Sequence, residues 1–282
     1  MSESTVQSSS RLAALFERLK GENRAALMPY ITGGDPDPKG SLAVMHALVE
    51  GGVDAIEVGV PFSDPMADGA VIQGAHERAL KTGGGLRGAL ELVSEFRRTN
   101  TETPVVLMGY QNPIEAMGVT NFVQRAADAG VDGVLTVDLP PEEADELVSA
   151  LRQHALDPIF LLAPTTSAER IRAIASRGSG FVYYVSLKGV TGAATLDVDA
   201  LGDQIARIRE CCDLPVGVGF GISDAEAAGR VAAVADGVIV GSAIVKRIRE
   251  HAEAEGGMTP AVLDAVRDFV AGLRKAVETA RH

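Results

Sequence analysis

Cysteine is scarce: the chain has two, the neighbours Cys211 and Cys212. Adjacent cysteines rarely reach disulfide geometry, and no C-x-x-C or Cys/His spacing accompanies them. Neither a disulfide framework nor a thiolate metal site is expected, and the pair reads as reduced thiols near a helix end, in keeping with the cytosol. Long apolar runs are missing too. Nothing approaches the roughly 18 uninterrupted apolar residues needed to cross a bilayer. The opening MSESTVQSSS lacks the apolar core of a secretory signal, so residues 1–10 are expected to be a flexible tail on a soluble, cytoplasmic protein. A basic excess is also lacking. Lys and Arg number 26 against 38 Asp and Glu, a net charge of −12, which argues against nucleic acid or an anionic membrane as the main partner. An acidic chain that holds a phosphate must build a local positive site, and backbone amides are the obvious source. Acidity serving only solubility remains the plainer reading.

What is present is a rhythm. Short apolar runs recur at 26–32, 55–59, 105–110, 133–138, 158–163, 181–186, 215–221 and 237–241. Each is apolar on both faces, as strands of a buried parallel sheet should be. Amphipathic helical stretches separate them, several ending in glycine. The last, TPAVLDAVRDFVAGLRKAVETA, opens with a Thr cap and a Pro at the first helical position. Eight such units across 282 residues give about 35 residues each, the size of a (βα)8 TIM barrel. RLAALFERLK would be an extra N-terminal helix closing the barrel's bottom, and residues 11–282 are expected to form one catalytic domain. The rival, an open doubly wound sheet, predicts a dinucleotide fingerprint after the first strand; TGGDPDP stands there instead.

In a barrel, chemistry belongs at the C-terminal ends of the strands. Glu57 lies inside the second apolar run, where an unpaired carboxylate is costly. It is either a structural partner of a buried hydroxyl or cation, or an acid/base whose pKa its environment sets. Asp64 and Asp68 follow in a loop shaped by Pro61, Pro65 and Gly69. Such aspartates are usually turn formers, but Asp68 could face the same pocket as Glu57, and paired carboxylates commonly divide acid and base roles. Three successive units offer small-residue turns: Gly189 and Gly192, Gly219 and Gly221, Gly241 and Ser242. Together they predict a phosphate site of backbone N–H groups. The histidines, His46, His76, His154, His251 and His282, all fall on predicted helices or the tail, so imidazole catalysis and a His-ligated metal are not expected. Lys188 makes a poor Schiff-base candidate, since it sits in a loop. Tyr183 points into the barrel mouth or packs in the core.

Taken together, PYITGGDP, IEVGVPFSDPMADG, the run from Tyr183 to Gly192, GFGIS and GSAIVK resemble the tryptophan synthase alpha-subunit family, in the same order from about Leu12 to Ala276. The resemblance implies a cofactor-free retro-aldol cleavage of indole-3-glycerol phosphate to indole and glyceraldehyde 3-phosphate. Within it, Glu57 matches the general acid/base and Asp68 the carboxylate that accepts from the indole N–H. Phosphate contacts carry over to Gly192, Gly221, Gly241 and Ser242. Tyr183 matches a substrate-contacting tyrosine, and Tyr30, Met108, Leu135 and Phe220 match the apolar indole pocket. Thr191 matches the threonine of a mobile loop that closes over substrate. Pro61, Asp64 and the loop near Asn112 match the surface that docks on a beta subunit. That partner holds pyridoxal phosphate, and the implied assembly is an α2β2 heterotetramer. Leu187 and Lys188 fall where members vary.

Three alternatives carry distinct tests. A stand-alone indole-releasing lyase would work without a beta partner. An aldolase using Lys188 would be trapped by borohydride with substrate. A dead regulatory subunit would lack activity, though retention of both Glu57 and Asp68 speaks against it.

Overall fold

The computed structural model describes residues 10–185, 198–219 and 221–281. Eight parallel strands close into a barrel in sequence order: β1 (Ala26–Thr32), β2 (Ile56–Gly59), β3 (Val105–Gly109), β4 (Gly133–Thr136), β5 (Asp157–Leu162), β6 (Val182–Val185), β7 (Val216–Gly219) and β8 (Gly237–Val240). The last strand pairs back on the first, Leu27 beside Val238 and Met28 beside Ile239. The apolar runs therefore sit where the rhythm puts them: β1 matches its run, β5 is shifted one residue earlier, and the others are shortened by a residue or two at one end or both.

Around the barrel lie α1 (Arg11–Gly21), α2 (Pro38–Glu50), α3 (Ala70–Lys81), α4 (Leu86–Arg97), α5 (Gln111–Met117), α6 (Val119–Ala129), α7 (Asp145–Gln153), α8 (Ala168–Arg177), α9 (Val198–Arg209), α10 (Ala225–Ala232), α11 (Ser242–Glu255) and α12 (Pro260–Thr279). Local chemistry sets their ends. The Asp37 side chain accepts from the backbone N–H groups of Lys39 and Gly40, with Pro38 at the first turn of α2. Gly130 stops α6 in the left-handed conformation at φ +83°. No helix among the described residues is long and apolar enough to cross a membrane.

Two elements differ from the periodicity. α3 begins at Ala70, five residues before the regular pattern at Ala75, because Gly69 caps it without a side-chain hydrogen bond and leaves no signal. α5 covers Asn112, which the sequence puts in a loop; Pro113 is tolerated because it lies in the first turn, where its missing N–H has no helical partner.

The core has two shells. Outside the barrel, strand residues such as Ile56, Val58 and Leu107 pack against helix residues such as Val93, Phe96 and Phe122. Inside, α1 buries Leu12, Leu15, Phe16 and Leu19 against Ala26, Met28, Val106, Leu135, Ile159, Phe181 and Ile239. α1 thus plugs the end where the strands begin, and each of its four apolar side chains contributes at most about 1.5–3 kcal/mol of burial.

That end is stitched by aspartates one or two residues ahead of the strands. Asp54 accepts from the Leu27 N–H at 2.8 Å, Asp132 from Val105 at 2.7 Å and Asp236 from Val216 at 2.9 Å. Each ties an even-numbered strand to the odd-numbered one before it. Arginines neutralise the carboxylates: Arg24 and Arg274 on Asp54, Arg11 and Arg97 on Asp132, Arg209 on Asp236. With one end plugged and stitched, the other is left open for chemistry.

Candidate active site

The open end is built from β1 to β3 outward. Tyr30 and Glu57 are register partners on β1 and β2, and Glu57 pairs with Val106 of β3. Parallel register puts such partners on the same face, here the barrel's inside. Glu57 is 1% exposed, and neither carboxylate oxygen has a hydrogen-bond partner among the described residues. Burial, and secondarily the charge of Asp68, push its pKa up to about 8. At neutral pH it therefore holds a proton that no described group accepts. Of the two readings of this residue, the structural pairing with a hydroxyl or cation finds no partner among the described residues.

Asp68 closes the loop after β2. Tyr110 donates its hydroxyl proton to Asp68 Oδ2 at 2.8 Å and accepts from the Ala67 N–H at 3.1 Å. One phenol thus fixes both the backbone and the carboxylate of this loop. Burial raises the Asp68 pKa, opposed first by the Tyr110 hydrogen bond and then by nearby His76. The two carboxyl groups so differ in kind. Glu57 is dry and lacks a described partner; Asp68 is hydrogen-bonded and stands at the rim, its side chain 7% exposed.

Tyr30 of β1 and Tyr183 of β6 both line the mouth and are 3% and 5% exposed. Burial first, then the surrounding carboxylates, hold both phenols protonated. Each ring lies over a glycine of a neighbouring strand. A Cβ on Gly59 would collide with the Tyr30 hydroxyl, and one on Gly219 with the Tyr183 hydroxyl, so any larger residue would displace the walls. Leu135 is fully buried in the inner layer, and Met108 bridges that layer to the Tyr30 group. The sequence-predicted pocket residues Tyr30, Met108, Leu135 and Tyr183 are thus brought together around Glu57.

The anion end of the pocket is partly in view. Gly241 caps α11, and Ser242 opens that 14-residue helix, so unpaired N–H groups and the helix dipole face the mouth. Gly241 lies against Tyr30, since a Cβ there would meet the Tyr30 side chain at 3.6 Å. Gly221 takes a left-handed φ of +75°, open to glycine without strain. Thr191, Gly192 and Phe220, with Gly189, Leu187 and Lys188, lie outside the described residues. Asp64 and Asn112 are exposed on the rim, whereas Pro61 is buried.

Two residues of this cluster escaped the sequence reading. Tyr110 directly follows β3, so the strand-end rule could have found it. His76 was passed over because it falls on a predicted helix rather than at a strand end. It sits on the buried face of α3 beside Ala75 and Ala79, 3.3 Å from Tyr30 Oη and 3.9 Å from Asp68 Oδ2. Its only sequence signal was its place on the apolar stripe of that helix.

Comparison with known proteins agrees with this geometry. The family model for the tryptophan synthase alpha chain matches residues 16–274. The tryptophan synthase alpha chain of Thioalkalivibrio sulfidiphilus is 57% identical over 270 residues, covering 95% of this chain and 100% of that protein. That of Marinobacter nauticus is 55% identical over 273 residues, covering 97% and 100%. The crystal structure of tryptophan synthase subunit alpha from Legionella pneumophila superposes with a TM-score of 0.89 at 44% identity, covering 96% of this chain and 99% of that one. A structure of Mycobacterium tuberculosis tryptophan synthase gives a TM-score of 0.85 at 40% identity, covering 96% and 99%. With matches of this length and a barrel mouth that gathers the expected carboxylates, the chain belongs to the tryptophan synthase alpha chain family.

Proposed function

We propose that the chain is a carbon–carbon lyase of tryptophan biosynthesis that cleaves indole-3-glycerol phosphate to indole and glyceraldehyde 3-phosphate, with Glu57 as both acid and base. The observation that carries this reading is the dry Glu57 carboxyl, without a partner among the described residues and with its pKa lifted to about 8. A protonated Glu57 gives its proton to indole C3, and the ring becomes an iminium that can act as an electron sink. The carboxylate left behind takes the proton of the adjacent glycerol hydroxyl. As that hydroxyl becomes an aldehyde, the C–C bond breaks and its electron pair restores the indole ring. Glu57 ends protonated, as it began, so the proton count closes.

Asp68 stabilises the other end of the charge flow. A carboxylate beside the indole N–H accepts its hydrogen bond, and that bond strengthens as the ring becomes cationic. Tyr110 holds Asp68 in place for this role. Ser242, Gly241 and Gly221 offer backbone N–H groups to the substrate phosphate, with Thr191 and Gly192 expected to complete that end. Because indole itself takes the electrons, the steps draw on no cofactor of this chain.

The product is an apolar indole, suited to direct transfer into a beta partner holding pyridoxal phosphate, in an α2β2 assembly in the cytoplasm. The loop after β2 supports such docking. Met66 is 83% exposed, the large hydrophobic side chain most open to solvent among the described residues, and exposed apolar groups mark partner surfaces. It lies beside exposed Asp64.

Indole release by the purified chain, alone and with an added beta subunit, tests the reading. Slow release that rises sharply with beta is expected; release unaffected by beta would favour a stand-alone lyase, and none in either case would remove the assignment. For Asp68→Asn, kcat is expected to fall by about 10²–10³-fold, the scale of losing one electrostatic stabiliser. An unchanged rate would reduce Asp68 to a loop former. In wild type, kcat/KM is expected to decline as pH rises through about 8, where Glu57 loses its proton; an alkaline limb that stays flat well beyond that pH would contradict a protonated Glu57.

A further inference from the structure

The reaction scheme leaves several buried titratable side chains at the site without a part, and one of them is a histidine. His76 of α3 is 2% exposed, and its Nδ1 lies 3.1 Å from the backbone nitrogen of Phe62. A backbone N–H can only donate, so Nδ1 accepts. A neutral imidazole that accepts at Nδ1 carries its proton on Nε2. Nε2 then donates toward Tyr30 Oη at 3.3 Å, and Tyr30 Oη lies 3.3 Å from Thr32 Oγ1. The same nitrogen stands 3.9 Å from Asp68 Oδ2. Phe62 stands near the start of the loop that Asp68 closes. A single ring therefore grips the root of the loop and faces its carboxylate, while Tyr110 holds the far end through Ala67 and Asp68.

We propose that His76 is a positioning residue: as a neutral imidazole accepting at Nδ1, it pins the root of the Asp68 loop and so fixes where the carboxylate stands. The idea rests on the role proposed above for Asp68 and adds the device that holds it. The grip depends on protonation state, because an imidazolium donates at both nitrogens and cannot accept from Phe62. Among the described residues, the titratable groups facing His76 are Asp68 on the loop, Tyr30 on β1 and Asp35 beyond β1, the last already paired bidentately with Arg78 of α3. Burial is the largest influence and lowers the His76 pKa, against the pull of Asp68 and Asp35. The ring is thus neutral at neutral pH, and acid opens the clamp.

Two substitutions separate this role from mere packing. His76→Asn puts an amide oxygen where Nδ1 stood and cannot titrate; His76→Leu keeps bulk and removes the acceptor. Amide hydrogen exchange of the 60–69 segment and indole release from indole-3-glycerol phosphate are measured on the full chain from about pH 5 to 9, with circular dichroism as the check on folding. His76→Leu is expected to exchange this segment about tenfold faster and to lose about tenfold in kcat, with KM within about threefold, the scale of one oriented hydrogen bond. His76→Asn should restore exchange and kcat to within about threefold of wild type, and its kcat should fall less steeply on the acid side. Wild-type exchange in His76→Leu would overturn the proposal, as would His76→Asn as impaired as His76→Leu or an acid limb the same in His76→Asn and wild type. If the wild type releases no indole, the proposed reaction fails, and the exchange measurement still decides whether His76 clamps the loop.

Discussion

Glu57→Gln is expected to lower indole release by about 10²–10⁴-fold, because the amide can neither give the proton to C3 nor take one from the hydroxyl. Binding of glyceraldehyde 3-phosphate should survive, since the phosphate contacts proposed for it lie in the loops after β6, β7 and β8, away from Glu57. Wild-type turnover in this variant would sink the assignment. Stability supplies a second readout with a definite sign. The folded pKa of Glu57 is about 8, above its ordinary 4.5. Between those values the native chain keeps a proton that the unfolded chain has lost. Wild-type stability therefore falls as pH rises through this window, by up to about 1.4 kcal/mol per pH unit, and levels off beyond it. The amide of the Glu57→Gln variant cannot ionise. Melting temperatures measured from about pH 5 to 9 should move in favour of Glu57→Gln as pH rises. A difference that stays constant across that range would mean that the carboxyl is not shifted.

The second large effect lies at the other end of the barrel. Asp132→Ala is expected to cost about 3–5 kcal/mol, the range for breaking a buried ion pair from one side, and roughly 10 °C in melting temperature. Asp132 is 4% exposed and accepts from Val105, Arg97 and Arg11 at 2.7, 2.7 and 2.8 Å. The Arg97 side chain is only 10% exposed and would stay behind without its anion, held by the carbonyls of Gly130 and Thr103. Indole release at about 15 °C should be nearly unchanged, because the plugged end lies across the barrel from the pocket. A loss under about 1 kcal/mol would place Asp132 with ordinary exposed ion pairs.

These two residues also show what a sequence can disclose. Glu57 was legible because a charge inside an apolar run is a physical anomaly. Asp132 was not, although VDAIEV, VDGVLT and ADGVIV repeat one pattern at β2, β4 and β8; an aspartate ahead of a strand looks like a turn former. Its partners, Val105 and Arg97, are fixed only once the barrel closes. His76 failed for a related reason. The strand-end rule ranks residues by distance along the chain, and α3 brings its buried face back over the mouth. The eight strands were readable because each is buried on both faces, so no polar alternation blurs its limits. The start of α3 was not, because glycine capped it silently. Met108 and Leu135 entered through family resemblance alone; an apolar residue lining a pocket looks like any other core residue until the register places it.

The plug formed by α1 has a consequence for synthesis. Leu12, Leu15, Phe16 and Leu19 leave the ribosome before any strand, yet they pack against Ile159, Phe181 and Ile239 of the later half. α1 is therefore made before the later half of its seat exists. Until β8 pairs with β1 its apolar face has only part of its seat, an interval in which that face is open to chaperones or to neighbouring chains.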